Sequence, residues 1–354
     1  MKVFILPRNH EYIRRLQRHL QRAGVQVVLL RPFHHASLSN LVKLIVFSIR
    51  GFRIVHVHWL YVFPLRSLMK GFVSLCRGLG IRIIWEMHNI LPHGGAERER
   101  TDSRWFFEHA DGIIYHSRSD IERAKATFGT NVDKPHIVIP HGNFNESYPN
   151  TITRAAAREK LSVPARDRVI LCFGFIRRNR GYEHLIEAVK DMERTTVIIA
   201  GKLEDRDVYQ ALERHARTLP HLRLHGGWIP DDEIQWFFNA CDVVVLPYTD
   251  ITTSGVIPLA YAFSRPVITS DIGGIRDVVN ADTGILVPVG DAASLKNAIE
   301  RMFAMDLETM GRRAHAYAKK EFDWDANARK IREFYGQVGS SVKQSAVDMR
   351  SLYE

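Results

Sequence analysis

The chain has 354 residues, 45% hydrophobic and 25% charged, enough for two domains with separate cores and unlike a stapled mini-protein, a disordered chain or a fibre. Lys and Arg outnumber Asp and Glu by 49 to 39, a formal charge of +10 beside 17 His. An anionic partner is therefore expected: a phosphorylated small molecule, a membrane surface or nucleic acid.

Short apolar, β-rich runs predict strands at 2–6, 25–30, 53–58, 81–87, 112–116 and 136–140, then at 168–173, 195–200, 221–225, 242–246, 266–270 and 284–287. Amphipathic stretches such as HEYIRRLQRHLQRAG and EHLIEAVKDM lie between them. Strand and helix alternating this often predict parallel sheets, because parallel neighbours need crossover helices. The polar, proline-flanked stretch at 151–165 reads as a linker between two α/β Rossmann-like, doubly wound domains, 1–150 and 166–320. A helix at 321–338 and a flexible tail at 339–354 follow. Two such sheets facing each other would line a cleft with the carboxyl ends of their strands.

Cys76, Cys172 and Cys241 are odd in number and set in apolar runs, so they read as reduced core residues of a cytoplasmic protein. The N-terminal apolar run is cut short by Pro7 and reads as a first strand rather than a signal peptide. No run approaches the length of a membrane span.

Three strand-end loops carry the chemistry of the second half. In FGFIRRNRG, Gly174 and Phe175 leave a strand, Arg177 and Arg180 crowd the turn, and Gly181 opens a helix, a set suited to a diphosphate. In VVVLPYTDITTSG, Tyr248 is followed by Thr252, Thr253, Ser254 and Gly255, a second anion cradle if those groups do more than cap the next helix. In SRPVITSDIGGIRDVV, glycines again permit close backbone approach, as a tight turn alone also would. GxGxxG is absent, which removes the usual support for a nicotinamide site.

Together with LHGGWIPDDEI and TGILVPVGDAASLKNAI, these pieces resemble the nucleotide-sugar half of the GT-B glycosyltransferases, in particular the group-1, family 4-like branch. The first half resembles them more loosely, through IVHVHWL, IIWEMHNILPH, HADGIIYHS and VIPHG. The resemblance implies a nucleoside-diphosphate sugar, GDP- or UDP-linked, as co-substrate with no separate cofactor. Arg177 and Arg180 would grip the diphosphate, Gly227, Trp228 and Ile229 would lie along the base, and 252–255 would sit under sugar and phosphates. The family usually carries two glutamates in the loop and helix after VVVLP; here Ile251 and Leu259 stand at those positions. The Thr-Thr-Ser-Gly version resembles a subset that includes mannosyltransferases acting on lipid-linked glycans, and it makes inversion at the sugar a reasonable expectation.

An inverting transferase needs a base from the first domain. His88 is the first candidate, with Glu86 on the same face of its strand; His58, His93, Glu97 and Asp102 are further candidates. No Asp-x-Asp triplet and no sequence-clustered His or Cys ligands suggest a metal-independent reaction. Basic residues mixed with apolar ones at 40–53 and 65–77 would suit either crossover helices or contact with an anionic membrane, such as the inner face of the plasma membrane. No nucleic-acid-binding motif is recognisable. The reading is a transferase of glycan or polysaccharide biosynthesis; a nucleotide-sugar epimerase of the same fold and a non-catalytic sugar-nucleotide-binding subunit are the alternatives.

Overall fold

The computed structural model describes residues 1–350 except 9, 89, 91–96, 130–133 and 146, and gives no side chains for 34–37 and 341–350. It divides into two compact units, Met1–Pro140 with Trp324–Glu354, and His141–Asp323.

The first unit runs β1 (Lys2–Leu6), α1 (Glu11–Arg22), β2 (Gln26–Leu29), α2 (Phe33–Ile49), β3 (Ile54–Val57), α3 (Arg66–Gly78), β4 (Arg82–Met87), α4 (Glu97–His109), β5 (Gly112–Tyr115), α5 (Arg118–Phe128) and β6 (His136–Val138). Its sheet is all parallel, in the order β2-β1-β3-β4-β5-β6. One face packs Val55, Val57, Trp85 and Tyr115 into a core with α3 and α4.

The second unit runs α6 (Arg154–Lys160), β7 (Arg168–Phe173), α7 (Tyr182–Val189), β8 (Thr195–Gly201), α8 (Arg206–Thr218), β9 (Leu222–Gly226), α9 (Ile234–Ala240), β10 (Val243–Leu246), α10 (Val256–Ala262), β11 (Val267–Ser270), β12 (Gly284–Val287), α11 (Ala292–Phe303) and α12 (Leu307–Glu321). Its sheet, also parallel, has the order β12-β11-β10-β7-β8-β9. The order reverses between β7 and β10, and the loops leaving those strands therefore diverge, the usual origin of a ligand crevice in an open α/β sheet.

All twelve expected strands are present, most within a residue or two of the expected ends. The stretch expected as a linker is built differently. Thr151 donates its backbone N–H to Gln235 at 2.9 Å, and buried Arg158 bonds Asp242 at 3.0 Å and the carbonyl oxygen of Ala240 at 3.1 Å. Residues 151–165 thus belong to the second unit, and the boundary falls at Pro140–His141. After Asp323 the chain returns to the first unit as α13 (Trp324–Arg350), longer than the expected 321–338. Trp324, Ala328, Ile331, Phe334 and Tyr335 of α13 pack with Tyr12, Ile13 and Leu16 of α1 over the second face of the first sheet. All three cysteines are free and buried.

Candidate functional site

In the second unit the residues expected at a donor site gather around the β7–β10 switch point. Gly181 makes the turn into α7 at φ +65°, and a Cβ there would stand 1.9 Å from the carbonyl oxygen of Pro247, so only glycine lets the two loops touch. The loops are also tied by Asn179, which donates Nδ2–H to the Asp250 carbonyl oxygen (2.7 Å) and accepts from Thr249 N–H at its own carbonyl (3.1 Å).

Arg180 lies beneath this junction, 5% exposed, with its guanidinium 4.9 Å from the Tyr248 ring centroid. Its Nε donates to the Phe175 carbonyl oxygen at 3.1 Å, whereas Nη1 is buried without a hydrogen-bond acceptor. A buried donor left in this state costs about 1–3 kcal/mol, more when charged. Arg177 stands on the same turn, over the ring of Phe175 at 5.8 Å and 3.6 Å from Glu204. Burial and the neighbouring Arg180 charge both lower its pKa, so an anion placed between the two would relieve it. Arg178, the third arginine of the turn, points elsewhere: it is exposed and paired with Asp205 and Asp207.

Tyr248 and Ser254 hydroxyls meet at 2.7 Å, and Ser254 Oγ accepts from Val256 N–H at 3.2 Å. Ser254 therefore caps a helix and braces Tyr248, and α10 is too short to offer a strong helix-end field. Thr252 is buried, its carbonyl accepting from Gly274 N–H, while Thr253 and Gly255 are half-buried. Ile251 and Leu259 are both core residues, 5% and 6% exposed, so the positions at which the family usually carries glutamates are filled with apolar packing. At the end of β9, Gly227 has φ +149° with open space around it, Trp228 is 70% exposed, and Ile229 packs partly on the core.

In the first unit the structure assembles what the sequence scatters. The two-residue period of a strand puts His56 and His58 on one face, and Glu86 and His88 likewise on the next strand. Register sets His56 beside Ile84 and Met87 beside Tyr115, so His116 arrives next to His88. Glu86, fully buried, accepts from Tyr12 Oη–H at 2.5 Å and stands 3.0 Å from His56, 3.6 Å from His58 and 3.5 Å from both His88 and His116. The premise that no histidine ligands cluster therefore does not hold in three dimensions.

Burial alone would raise the Glu86 carboxyl, but His58, His56 and His116 around it outweigh that and hold it well below the usual range. Burial likewise pushes His58 well below its ordinary value, against the opposing pull of the Glu86 charge. Proton positions follow by elimination for neutral rings. His116 Nδ1–H donates to the Ile139 carbonyl (2.9 Å), His88 Nδ1–H to His116 Nε2 (3.0 Å), and His58 Nδ1–H to His88 Nε2 (3.0 Å). His88 is the member of this chain that reaches the surface, its side chain 11% exposed against 0–1% for the others, with Trp59 stacked on it at 4.4 Å. Asp102 is held between Arg66 and Arg98, and Glu97 sits exposed at the start of α4; His93 lies outside the described residues. Sequence reasoning missed His56, His116 and Tyr12 as partners of Glu86 and Tyr335 as the partner of His56, and only the i, i+2 pair His56–His58 offered a local signal.

A parallel sheet with a glycine-built loop junction and one buried arginine at its switch point defines an α/β unit with a ligand crevice at its strand ends. The sequence profile of the group 1 glycosyl transferases matches residues 167–305, a stretch that lies within the second unit. D-inositol 3-phosphate glycosyltransferase of Xylanimonas cellulosilytica is 26% identical over 65% of this chain and 57% of its own length. GDP-mannose:glycolipid 4-beta-D-mannosyltransferase of Xanthomonas campestris is 26% identical over 61% of this chain and 60% of its own. The chain thus spans about 60% of the length of these curated relatives. Among solved structures, sucrose-phosphate synthase of Thermosynechococcus elongatus superposes with a TM-score of 0.77 at 20% identity, covering 96% of this chain and 99% of that one. HepE of Anabaena in complex with UDP gives 0.72 at 17% identity, covering 95% and 99%. The fold is accordingly that of the GT-B glycosyltransferases.

Proposed function

We propose that the protein is a glycosyltransferase that moves a sugar from a UDP- or GDP-sugar held by the second unit to a hydroxyl of a lipid-linked or polysaccharide-precursor glycan received by the first. One observation carries the reading: the buried Arg180 guanidinium, with an unsatisfied donor and no carboxylate partner among the described residues, at the switch point of its sheet. A diphosphate oxygen supplies the missing acceptor. Arg177 and Arg180 then hold the charge that develops on the leaving diphosphate, the task a divalent ion performs elsewhere. Trp228 offers its exposed ring to the base, and the GDP-mannose named for the Xanthomonas relative and the UDP bound by HepE are the two donors to try first.

On the acceptor side, His88, the histidine of the cluster that reaches the surface, takes the hydroxyl proton at Nε2, which is open to it once His58 no longer donates there. Beside it lies a cavity of about 440 Å³ lined by His58, Trp59, Tyr61, Phe63 and Trp85, an aromatic surface of the kind that stacks on sugar rings.

The two basic-apolar stretches separate on inspection. In α3, Met69, Phe72, Val73 and Cys76 are buried, Arg66 pairs with Asp102, Lys70 lies over Trp105 and Arg77 reaches the His109 carbonyl, so this helix packs on the fold. In α2, Leu38, Leu41, Val42, Ile45, Val46 and Ile49 are all exposed and fall on one stripe, with exposed Arg50 at its end. Lys43 is not on that stripe; its amine turns to the Leu29 carbonyl oxygen at 3.3 Å. Such a face suits an anionic bilayer, apolar residues below the headgroups and arginine among them. Among the described residues no helix is long and apolar enough to cross a membrane.

The test is calorimetric titration with UDP, GDP and ADP, followed by incubation of the sugar form of the binder with lipid-linked glycan acceptors and mass analysis of the product. Binding of one diphosphate and a mass gain of one sugar are expected. Failure of all three nucleotides to bind overturns the donor site, and binding with epimerised donor instead of transfer overturns the reaction.

A further inference from the structure

The fully buried pair His56 and Glu86 has an unusual geometry. His56 Nε2 and Glu86 Oε2 stand 3.0 Å apart, yet each is a buried atom that makes no aligned hydrogen bond. Two donor atoms at that distance are close enough to bind one ion placed beside them. His58 Nδ1 lies 3.6 Å from Glu86 Oε2, and it can face the same point in the tautomer that carries its proton on Nε2 and gives up the hydrogen bond to His88. Each of the three residues offers one donor atom within 4.8 Å of the others, all fully buried. Ligands at about 2.0–2.1 Å from a tetrahedral ion stand about 3.3–3.4 Å from one another, within the observed 3.0–3.6 Å.

The surroundings orient these donors as metal ligands are oriented. Tyr335 Oη lies 2.7 Å from His56 Nδ1, and an Nδ1–H donated there leaves the lone pair on Nε2. Tyr12 occupies Glu86 Oε1 at 2.5 Å, leaving Oε2 for the ion. His88 and His116 also surround Glu86, but their hydrogen bonds to each other and to Ile139 already engage them, which makes the His56 side of the carboxylate the open one. A carboxylate with one oxygen unsatisfied at this depth is costly, and a cation coordinated there removes the cost.

We propose that His56, His58 and Glu86 form a binding site for one divalent d-block ion, zinc by donor chemistry, in the first unit and separate from the diphosphate grip of Arg177 and Arg180. Two imidazoles and one carboxylate are the donor set that suits Zn²⁺ or Fe²⁺ and disfavours Mg²⁺ and Ca²⁺, which take oxygen. The His-x-His spacing on one strand and the carboxylate on its neighbour hold the three donors on rigid elements, the reason a site is so compact before any ion enters.

The test uses the untagged full chain and does not depend on turnover. Elemental analysis of protein purified without chelator is expected to find close to one zinc or iron per chain, and stripping followed by Co²⁺ should give the visible absorption of a low-coordinate cobalt site. Melting temperature should fall on stripping and recover with Zn²⁺. Glu86→Gln and His58→Asn should each lose the stoichiometric metal, and Tyr335→Phe should weaken metal affinity by roughly 10–100-fold. Wild-type protein free of metal, with no cobalt spectrum and no response of melting temperature to chelator or Zn²⁺, overturns the proposal and leaves an ion-free His56–Glu86 contact in its place. That result would be visible even if the Glu86 variant failed to fold, and it would leave the nucleotide site untouched.

Discussion

The two candidate sites of this protein are built from different materials. In the second unit, backbone makes the site: a glycine that alone fits against Pro247, a bare Gly227, and loops crossing at a sheet switch point, with two arginines set into them. In the first unit, side chains make it: Tyr12, His56, His58, Glu86, His88, His116 and Tyr335 converge from two helices and the C-terminal ends of adjacent strands. A backbone-built site should tolerate change in its surface side chains and fail when a glycine gains a Cβ. A side-chain site should fail by charge and by proton position while its backbone survives.

The largest effect expected is on turnover. His88→Ala should lower kcat by roughly 10²–10⁴-fold with nucleotide affinity unchanged, measured by single-turnover transfer beside calorimetry. Near-normal kcat would remove His88 from the chemistry and shift attention to the cavity wall.

Gly181→Ala should act in the opposite unit and in the opposite way. A Cβ 1.9 Å from Pro247 and a φ of +65° together cost roughly 2–5 kcal/mol. Denaturant unfolding should show a weakened second unit and lost nucleotide binding. An alanine variant as stable as the parent would mean that the loop junction is not tied by backbone contact.

Arg180→Ala should weaken nucleotide-diphosphate binding by about 1.5–3 kcal/mol, the range for a charge-assisted hydrogen bond, and Arg180→Lys should restore only part of it because a point charge replaces a fork. Equal affinity in parent and alanine variant would show that the unsatisfied Nη1 does not await a phosphate oxygen.

The same contrast explains what could be read from the amino-acid order. Strands were legible because parallel, doubly covered strands are continuous apolar runs, and the arginine turn because Gly174, Arg177, Arg180 and Gly181 are neighbours in sequence. Boundaries were harder. Residues 151–165 look like a linker because they are polar, yet Arg158 is polar for a structural reason: it reaches Asp242 and three backbone carbonyl oxygens from within the second unit. The histidine cluster was not legible as a cluster, since His56 and His116 are each brought to Glu86 by strand register, which no local pattern encodes. Ile251 and Leu259 show the reverse case, in which sequence alone marked a departure and burial explains what the departure is for.

The smallest effect in energy separates α2 from α3, two helices that look alike in composition. Ile45→Ser with Ile49→Ser changes exposed side chains, so stability should move by less than about 1 kcal/mol, whereas Met69→Ala in α3 removes a core side chain and should cost about 2–5 kcal/mol. Flotation with vesicles containing an anionic lipid should then invert the order: the α2 variant loses binding, and the α3 variant, once folded at low temperature, keeps it. Vesicle binding that survives in the α2 variant would place the basic surplus of the first unit somewhere other than that stripe. Binding by the parent that persists unchanged in high salt would mean apolar insertion carries the contact, and Arg50→Ala should in that case leave it intact.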